Sequence, residues 1–171
     1  MATIVTNIKT LYAQQKNYNG LITASAVSMG IIPDELGTDY RYLTNPFNGN
    51  VDIFSSDSTV SMDNKAFMIF YDNLPKEACV DLVTNNWGDL SSGLIAVVAV
   101  GESSGSYRYV NLDNQYIGCS GDASSGMVFG IKGLIACPGG SDVSVPLSPS
   151  YASQACQCDK GNTCSVGWKY Y

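Results

Sequence analysis

The segment AFMIFYDNLPKEACVDLVTNNWGDLSSGLIAVVAV, from Ala66 to Val100, holds two apolar runs on either side of an amphipathic stretch. The runs at 66–71 and 93–100 do not alternate with polar residues, which is typical of strands covered on both faces. Between them, Pro75 suits the first turn of a helix, so a helix is predicted over 75–84. This segment predicts a strand, a helix and a second buried strand.

The beginning of the chain predicts an amphipathic helix over residues 3–16. Four apolar side chains recur at the i, i+4, i+7 and i+8 spacing of one helix face, namely Ile4, Ile8, Leu11 and Tyr12. We expect this stripe to lie across a sheet and to cover one of its faces.

The rest of the chain contains shorter signals. A second helical segment is predicted over 21–29, because Gly30 ends it and Pro33 prevents its continuation. A turn is predicted at 45–50, strands at 51–54, 106–112, 127–131 and 165–171, and a loop at 139–150. The sequence therefore predicts one α+β domain over 1–171. Helical segments within 3–29 come first, and a mainly antiparallel sheet, long loops and a disulfide-bounded region occupy 45–171.

Charge and composition exclude several functions. Lys and Arg number 9 against 15 Asp and Glu, which gives a net charge of −6. Nucleic acids and anionic membranes require clustered basic charge, so neither is an expected partner. The chain contains no His. This excludes the Ser-His-Asp triad, the Cys-His dyad and His-ligated zinc.

One segment resembles a catalytic motif. Gly101-Glu-Ser-Ser-Gly105 matches G-x-S-x-G after an apolar strand. A hydrolase elbow also needs a following helix and a His to activate the Ser, whereas a Tyr-rich segment follows here. A hairpin loop is the favoured interpretation, and neither a catalytic residue nor a cofactor is predicted. Cys156-Gln-Cys158, followed by Cys164, lacks the paired C-x-x-C knuckles of structural zinc, so no metal site is predicted.

An even number of cysteines indicates an oxidised, extracytoplasmic protein. The six are Cys79, Cys119, Cys137, Cys156, Cys158 and Cys164. Six cysteines allow fifteen pairings. Cys156 and Cys158 are too close in sequence to bond each other without strain. Joining the local neighbours, Cys119 with Cys137 and Cys158 with Cys164, leaves Cys79 for Cys156, and the other pairings stay open.

Three motifs in this order carry a family resemblance. They are GIIPDEL at 30–36, NPFNGNV at 45–51 and LPKEACVDLVT at 74–84. The chain resembles the type IVb pilins, and the PilS-like branch in particular. In that comparison Cys79 corresponds to the first cysteine of the family's disulfide-bounded region, and either Cys156 or Cys158 corresponds to the second.

The resemblance implies a structural subunit, the major pilin of a type IVb pilus, present as an N-terminally truncated soluble domain. Residues 3–16 would match the lower, amphipathic half of the family's first helix, with Ile4, Ile8, Leu11 and Tyr12 on its core and filament side. The implied partners are further copies of the chain, the pilus assembly machinery and a host-cell receptor, and membrane contact is made only through the missing half-helix. The implied location is the bacterial surface, after anchoring in the inner membrane, and the implied roles are adhesion, aggregation or mating.

Three alternatives remain at this stage. A low-abundance minor pilin at the filament tip is the nearest alternative, and such tip subunits often carry an added binding domain. A secreted, disulfide-rich protein that binds carbohydrate or protein requires no filament. An exported hydrolase that uses Ser103 is the least favoured, because the chain lacks His.

Overall fold

The computed structural model describes residues 1–33, 36, 43–57, 63–101, 133–139, 143–158 and 163–171. The helices are α1 (Ala2–Tyr12), α2 (Thr23–Ser28), α3 (Lys76–Thr84) and α4 (Pro149–Ala155). The strands are β1 (Leu43–Thr44), β2 (Asn50–Ser56), β3 (Ala66–Leu74), β4 (Leu94–Val100), β5 (Gly133–Ala136) and β6 (Cys164–Tyr170). None of the helices in these ranges combines the length and the apolar character needed to cross a membrane.

The strands form a single antiparallel sheet, so the predicted α+β class is confirmed. Its order over the described ranges is β1-β2-β3-β6-β4-β5. Every pair of neighbours in it is antiparallel. The last strand of the chain, β6, therefore lies at the centre, between β3 and β4.

The central strands are covered on both faces, as the apolar runs predicted. Every residue of β4 and of β6 is buried. Trp168 packs in the core on one face, edge to face with Tyr71 at 5.4 Å between ring centroids. On the opposite face a Cβ at Gly167 would lie 2.5 Å from Cδ2 of Phe70 and 3.0 Å from Cγ1 of Val98. Gly167 therefore lets the Phe70 ring lie against the backbone of β6.

Helix α3 joins β3 to β4, as predicted, and it packs against β6 and β4. Pro75 precedes its first turn, and Cys79 and Val83 are buried on its inner face. Helix α4 was not predicted, and its first two residues lie within the loop predicted over 139–150. It begins at Pro149, and the hydroxyl of Ser148 accepts a hydrogen bond from the Tyr151 amide at 3.4 Å. Helix α4 packs against α3.

The predicted turn at 45–50 is organised by a buried amide. The side-chain oxygen of Asn45 accepts hydrogen bonds from the amides of Phe47 at 2.8 Å and Gly49 at 3.1 Å. Its side-chain nitrogen donates to the Asp72 carbonyl at 2.7 Å. Since a Cβ at Gly49 would lie 1.9 Å from that carbonyl oxygen, only glycine allows the turn to approach β3 this closely.

Helix α1 is shorter than predicted, since it ends at Tyr12 rather than at residue 16. The amide of Gln15 donates to the Tyr12 carbonyl at 2.8 Å, so the chain leaves the helix in a turn. Residues 13–16 are all exposed. Most of the stability of a helix in a protein comes from packing of an apolar face. Residues 13–16 bury no such face, so packing does not extend the helix over them.

Some predictions concern residues outside the described ranges. These are the strands at 106–112 and 127–131, the G-x-S-x-G segment beyond Gly101, and Cys119. Strands β1 and β5 were not predicted.

Candidate functional site

Helix α1 is fixed to the sheet by buried apolar side chains and one lysine. Ile4 and Ile8 are 0% exposed and belong to the main core. The amine of Lys9 donates to the Ser92 carbonyl at 2.6 Å and lies 5.3 Å from the centroid of the Tyr170 ring. Burial lowers the pKa of Lys9. The amine therefore links α1 to the turn before β4 and to the last residue of β6.

A series of aromatic contacts fixes the carboxyl end of α1. Ring centroids are 5.3 Å apart for Tyr12 and Tyr18, 4.8 Å for Tyr18 and Phe67, and 5.7 Å for Phe67 and Tyr170. Such pairs contribute about 0.5–1.5 kcal/mol each beyond the area that they bury. Burial raises the pKa of Tyr12 and of Tyr18, and it raises that of Tyr170 to about 12. These contacts connect the carboxyl end of α1 to β3 and β6.

The prediction that Leu11 belongs to the buried stripe is wrong. Its side chain is 46% exposed, whereas Tyr12 is half-buried against Tyr18. At 3.6 residues per turn, Leu11 lies about 60° around the helix from Ile8, and Tyr12 lies about 40° away on the opposite side. Because Tyr12 and Tyr18 fill the space beneath the last turn, the covered face is displaced toward Tyr12. Leu11 consequently projects an apolar side chain from an anchored helix.

The carboxyl-terminal region is crosslinked by disulfides. Cys79 is bonded to Cys156, and Cys158 is bonded to Cys164. The prediction that first joined the cysteines closest in sequence is confirmed for these four residues. Cys137 is also disulfide-bonded, and its predicted partner Cys119 lies outside the described residues. The oxidised state predicted from the cysteine count is thus confirmed for the described cysteines.

The two bridges lie against each other where three elements meet. Cys79 comes from α3, Cys156 follows α4, and Cys164 begins β6. The Sγ atoms of these three residues all lie within 4.8 Å of one another. A zinc centre would need them as free thiolates, whereas each is already bonded to sulfur. We call this group of four cysteines, Cys158 included, the disulfide cluster.

Sequence reasoning missed two anchors of α1. These anchors are Lys9, which lies outside the apolar stripe of α1, and Tyr18, which lies between α1 and α2. The amine of Lys9 donates to a backbone carbonyl. A pattern of side chains does not indicate which backbone carbonyl will accept a hydrogen bond. The aromatic character of Tyr18 was visible, but its ring partner Phe67 lies far along the chain.

Comparisons with known proteins agree with this architecture. A family model described as PilS N terminal matches residues 1–132. The type IV b pilin from Salmonella typhi is 16% identical with a TM-score of 0.55, and the match covers 99% of this chain and 93% of that chain. TcpA, a type IV pilin from the El Tor biotype of Vibrio cholerae, is 18% identical with a TM-score of 0.50, covering 99% and 96%. No curated protein matches the chain in sequence. The structural matches establish the type IV pilin fold, and the family match, over more than half of the chain, shows that this protein belongs to the PilS family of pilin subunits.

Proposed function

We propose that this protein is the major structural subunit of a type IVb pilus, which polymerises into a bacterial surface filament used for adhesion, aggregation or mating. The observation that carries the proposal is the PilS family match over residues 1–132, joined to a pilin fold. Its partners are further copies of itself, the machinery that assembles them and, in attachment, a host-cell receptor. Before assembly the subunit is held in the inner membrane. Its role is structural and requires neither catalysis nor a cofactor.

The extent of the structural match supports a pilus subunit. The alignment with the Salmonella typhi pilin covers 99% of this chain and 93% of that chain. A subunit that repeats along a filament contacts its neighbours through the sides of such a domain.

Helix α1 supplies a candidate contact between subunits. Ile4 and Ile8 are buried in the core, whereas Leu11 is 46% exposed. Leu11 is therefore an apolar side chain of α1 that a neighbouring subunit can contact. Covering its exposed part would contribute about 1 kcal/mol per contact, since full burial of Leu contributes about 1.5–3 kcal/mol. The contact recurs at each subunit of a filament, so its effect on assembly accumulates.

Filaments sheared from the encoding bacterium test the function. We expect this protein to be their most abundant component by mass spectrometry, and deletion of its gene to remove the filaments from electron micrographs. A minor tip pilin would be present in a few copies per filament. A secreted binding protein would be found in the medium as a monomer, with filament number unchanged by the deletion. Either outcome would overturn the proposal.

A pair of charge substitutions tests the α1 contact. Leu11→Glu places a charge on the proposed contact, and Thr10→Glu places the same charge on the neighbouring exposed position of the same helix turn. We expect Leu11→Glu to reduce filament yield strongly and Thr10→Glu to reduce it less, with both variants folded by circular dichroism. Equal filament yields from the two variants would exclude Leu11 from the contact.

A further inference from the structure

The four residues of the disulfide cluster differ in exposure. Cys79, Cys156 and Cys164 are 0% exposed. Cys158 is only partly buried. Of these four residues, Cys158 is therefore the one at which a thiolate in solution can approach the cluster. The long-range bridge between Cys79 and Cys156 is shielded from direct attack.

Attack at Cys158 has a defined product. An external thiolate forms a new S–S bond to the Cys158 sulfur, and the bond to Cys164 breaks. The electron pair of the broken bond leaves with Cys164, which becomes a thiolate. The number of disulfide bonds is unchanged, because one mixed disulfide replaces one internal bridge.

The released thiolate is already next to the buried bridge. The sulfur of Cys164 lies within 4.8 Å of the sulfurs of both Cys79 and Cys156. Attack on Cys156 forms the Cys156–Cys164 bond and releases Cys79 as a thiolate. Attack on Cys79 forms the Cys79–Cys164 bond and releases Cys156 instead. Each step again exchanges one S–S bond for another, with no net oxidation.

We propose that the bridge between Cys158 and Cys164 is a thiol-exchange site, at which an external thiol gains access to the buried bridge through Cys164. The co-substrate is a thiolate, supplied by a small-molecule thiol or by a dithiol oxidoreductase. Cys164 is the internal nucleophile, and Cys158, the partly exposed member of the bridge, is the acceptor. Pairing errors among Cys79, Cys156 and Cys164 are thereby corrected in the folded protein. This inference is independent of the filament role.

Disulfide mapping in the folded full chain tests the site. Reduced glutathione is the external thiol, samples are quenched by acid and alkylation, and pairs are identified by mass spectrometry. We compare the parent with Cys158→Ala/Cys164→Ala, and the matched control is Cys119→Ala/Cys137→Ala. The bridge from Cys79 to Cys156 should open at least about tenfold more slowly in the first variant than in the parent or the control, because the tethered nucleophile is lost. Equal opening rates would overturn the proposal.

A single substitution provides a test that needs no external thiol. Cys158→Ala leaves Cys164 as a permanent thiol beside the buried bridge. We expect Cys79–Cys164 or Cys156–Cys164 bonds to appear in this variant at neutral pH, together with a free thiol on the third cysteine. Retention of Cys79–Cys156 alone in folded Cys158→Ala protein would refute the role of Cys164.

A dithiol oxidoreductase added to the parent should produce the same cross-pairs as glutathione if it is the natural co-substrate.

Discussion

Removal of the long-range bridge is expected to destabilise the protein more than removal of the short one. The bridge from Cys79 to Cys156 spans a sequence separation of 77, and that from Cys158 to Cys164 spans 6. A bridge stabilises mainly by restricting the unfolded chain, so its contribution grows with the logarithm of the loop that it closes. The comparison isolates loop length, because both variants replace two cysteines by alanine.

The loop-closure expression gives the two magnitudes. At 25 °C it yields about 4.5 kcal/mol for the separation of 77 and about 2.2 kcal/mol for the separation of 6. For a chain of this size, each kcal/mol corresponds to about 2–4 °C in melting temperature. We therefore expect Cys79→Ala/Cys156→Ala to melt about 9–18 °C below the parent, and Cys158→Ala/Cys164→Ala about 4–9 °C below it.

Urea unfolding followed by tryptophan fluorescence measures the difference, because Trp168 is fully buried in the folded protein. Alanine is preferred to serine as the replacement, since a buried hydroxyl would add its own desolvation cost. Equal losses of stability in the two variants, or a larger loss for the short bridge, would refute the loop-length argument. The stability would then depend on local packing around the sulfur atoms.

Three further predictions concern packing, hydrogen bonding and alkaline pH. Gly167→Ala places a Cβ 2.5 Å from Phe70, and this overpacking should lower the free energy of unfolding by about 1–3 kcal/mol in urea; an unchanged midpoint would contradict it. Asn45→Ala removes three hydrogen bonds from a buried turn and should cost about 2–3 kcal/mol, whereas parental stability would show that water replaces them. Burial raises the pKa of Tyr71 and Tyr170 from 10.0 to about 12, so the stability that they contribute is fully present below pH 10 and is lost as pH rises toward 12. Replacing both by Phe should flatten this alkaline loss in thermal melts, and a loss as steep as in the parent would contradict the assignment.

Much of the sheet could be predicted from the sequence, because a strand that is buried on both faces is a continuous apolar run. The runs at 66–71 and 93–100 became β3 and β4, and the strand predicted at 165–171 became β6. Strand β1 contains only Leu43 and Thr44, and β5 only four residues, 133–136. Segments this short carry no periodicity, so tertiary pairing alone defines them as strands.

Helix α4 shows a local signal that was outweighed by composition. Ser148 followed by Pro149 is a common helix start, because the hydroxyl accepts a backbone hydrogen bond and proline suits the first turn. The surrounding Pro, Gly and Ser favoured a loop.

For the disulfide cluster, joining the cysteines closest in sequence first predicted the two observed bonds, as one of the fifteen possible sets of pairs. The approach of Cys164 to the buried bridge required the meeting of α3, α4 and β6, which no sequence spacing encodes.

The position of β6 links the family assignment to the disulfides. The family match ends at residue 132, whereas β6 begins at Cys164 and lies between β3 and β4. Among the described strands, β3 and β4 are joined within the sheet only through β6, so this sheet is complete only when β6 inserts. Pairing Phe67 with Tyr170 closes a long stretch of chain, which carries an entropic cost. The Cys79–Cys156 bridge shortens that stretch by holding the chain beside α3 just before β6 begins, and the Cys158–Cys164 bridge fixes the first residue of the strand. The disulfide cluster thus lies where β6 enters the sheet. An error in disulfide pairing there would misplace β6, which is the strand between β3 and β4.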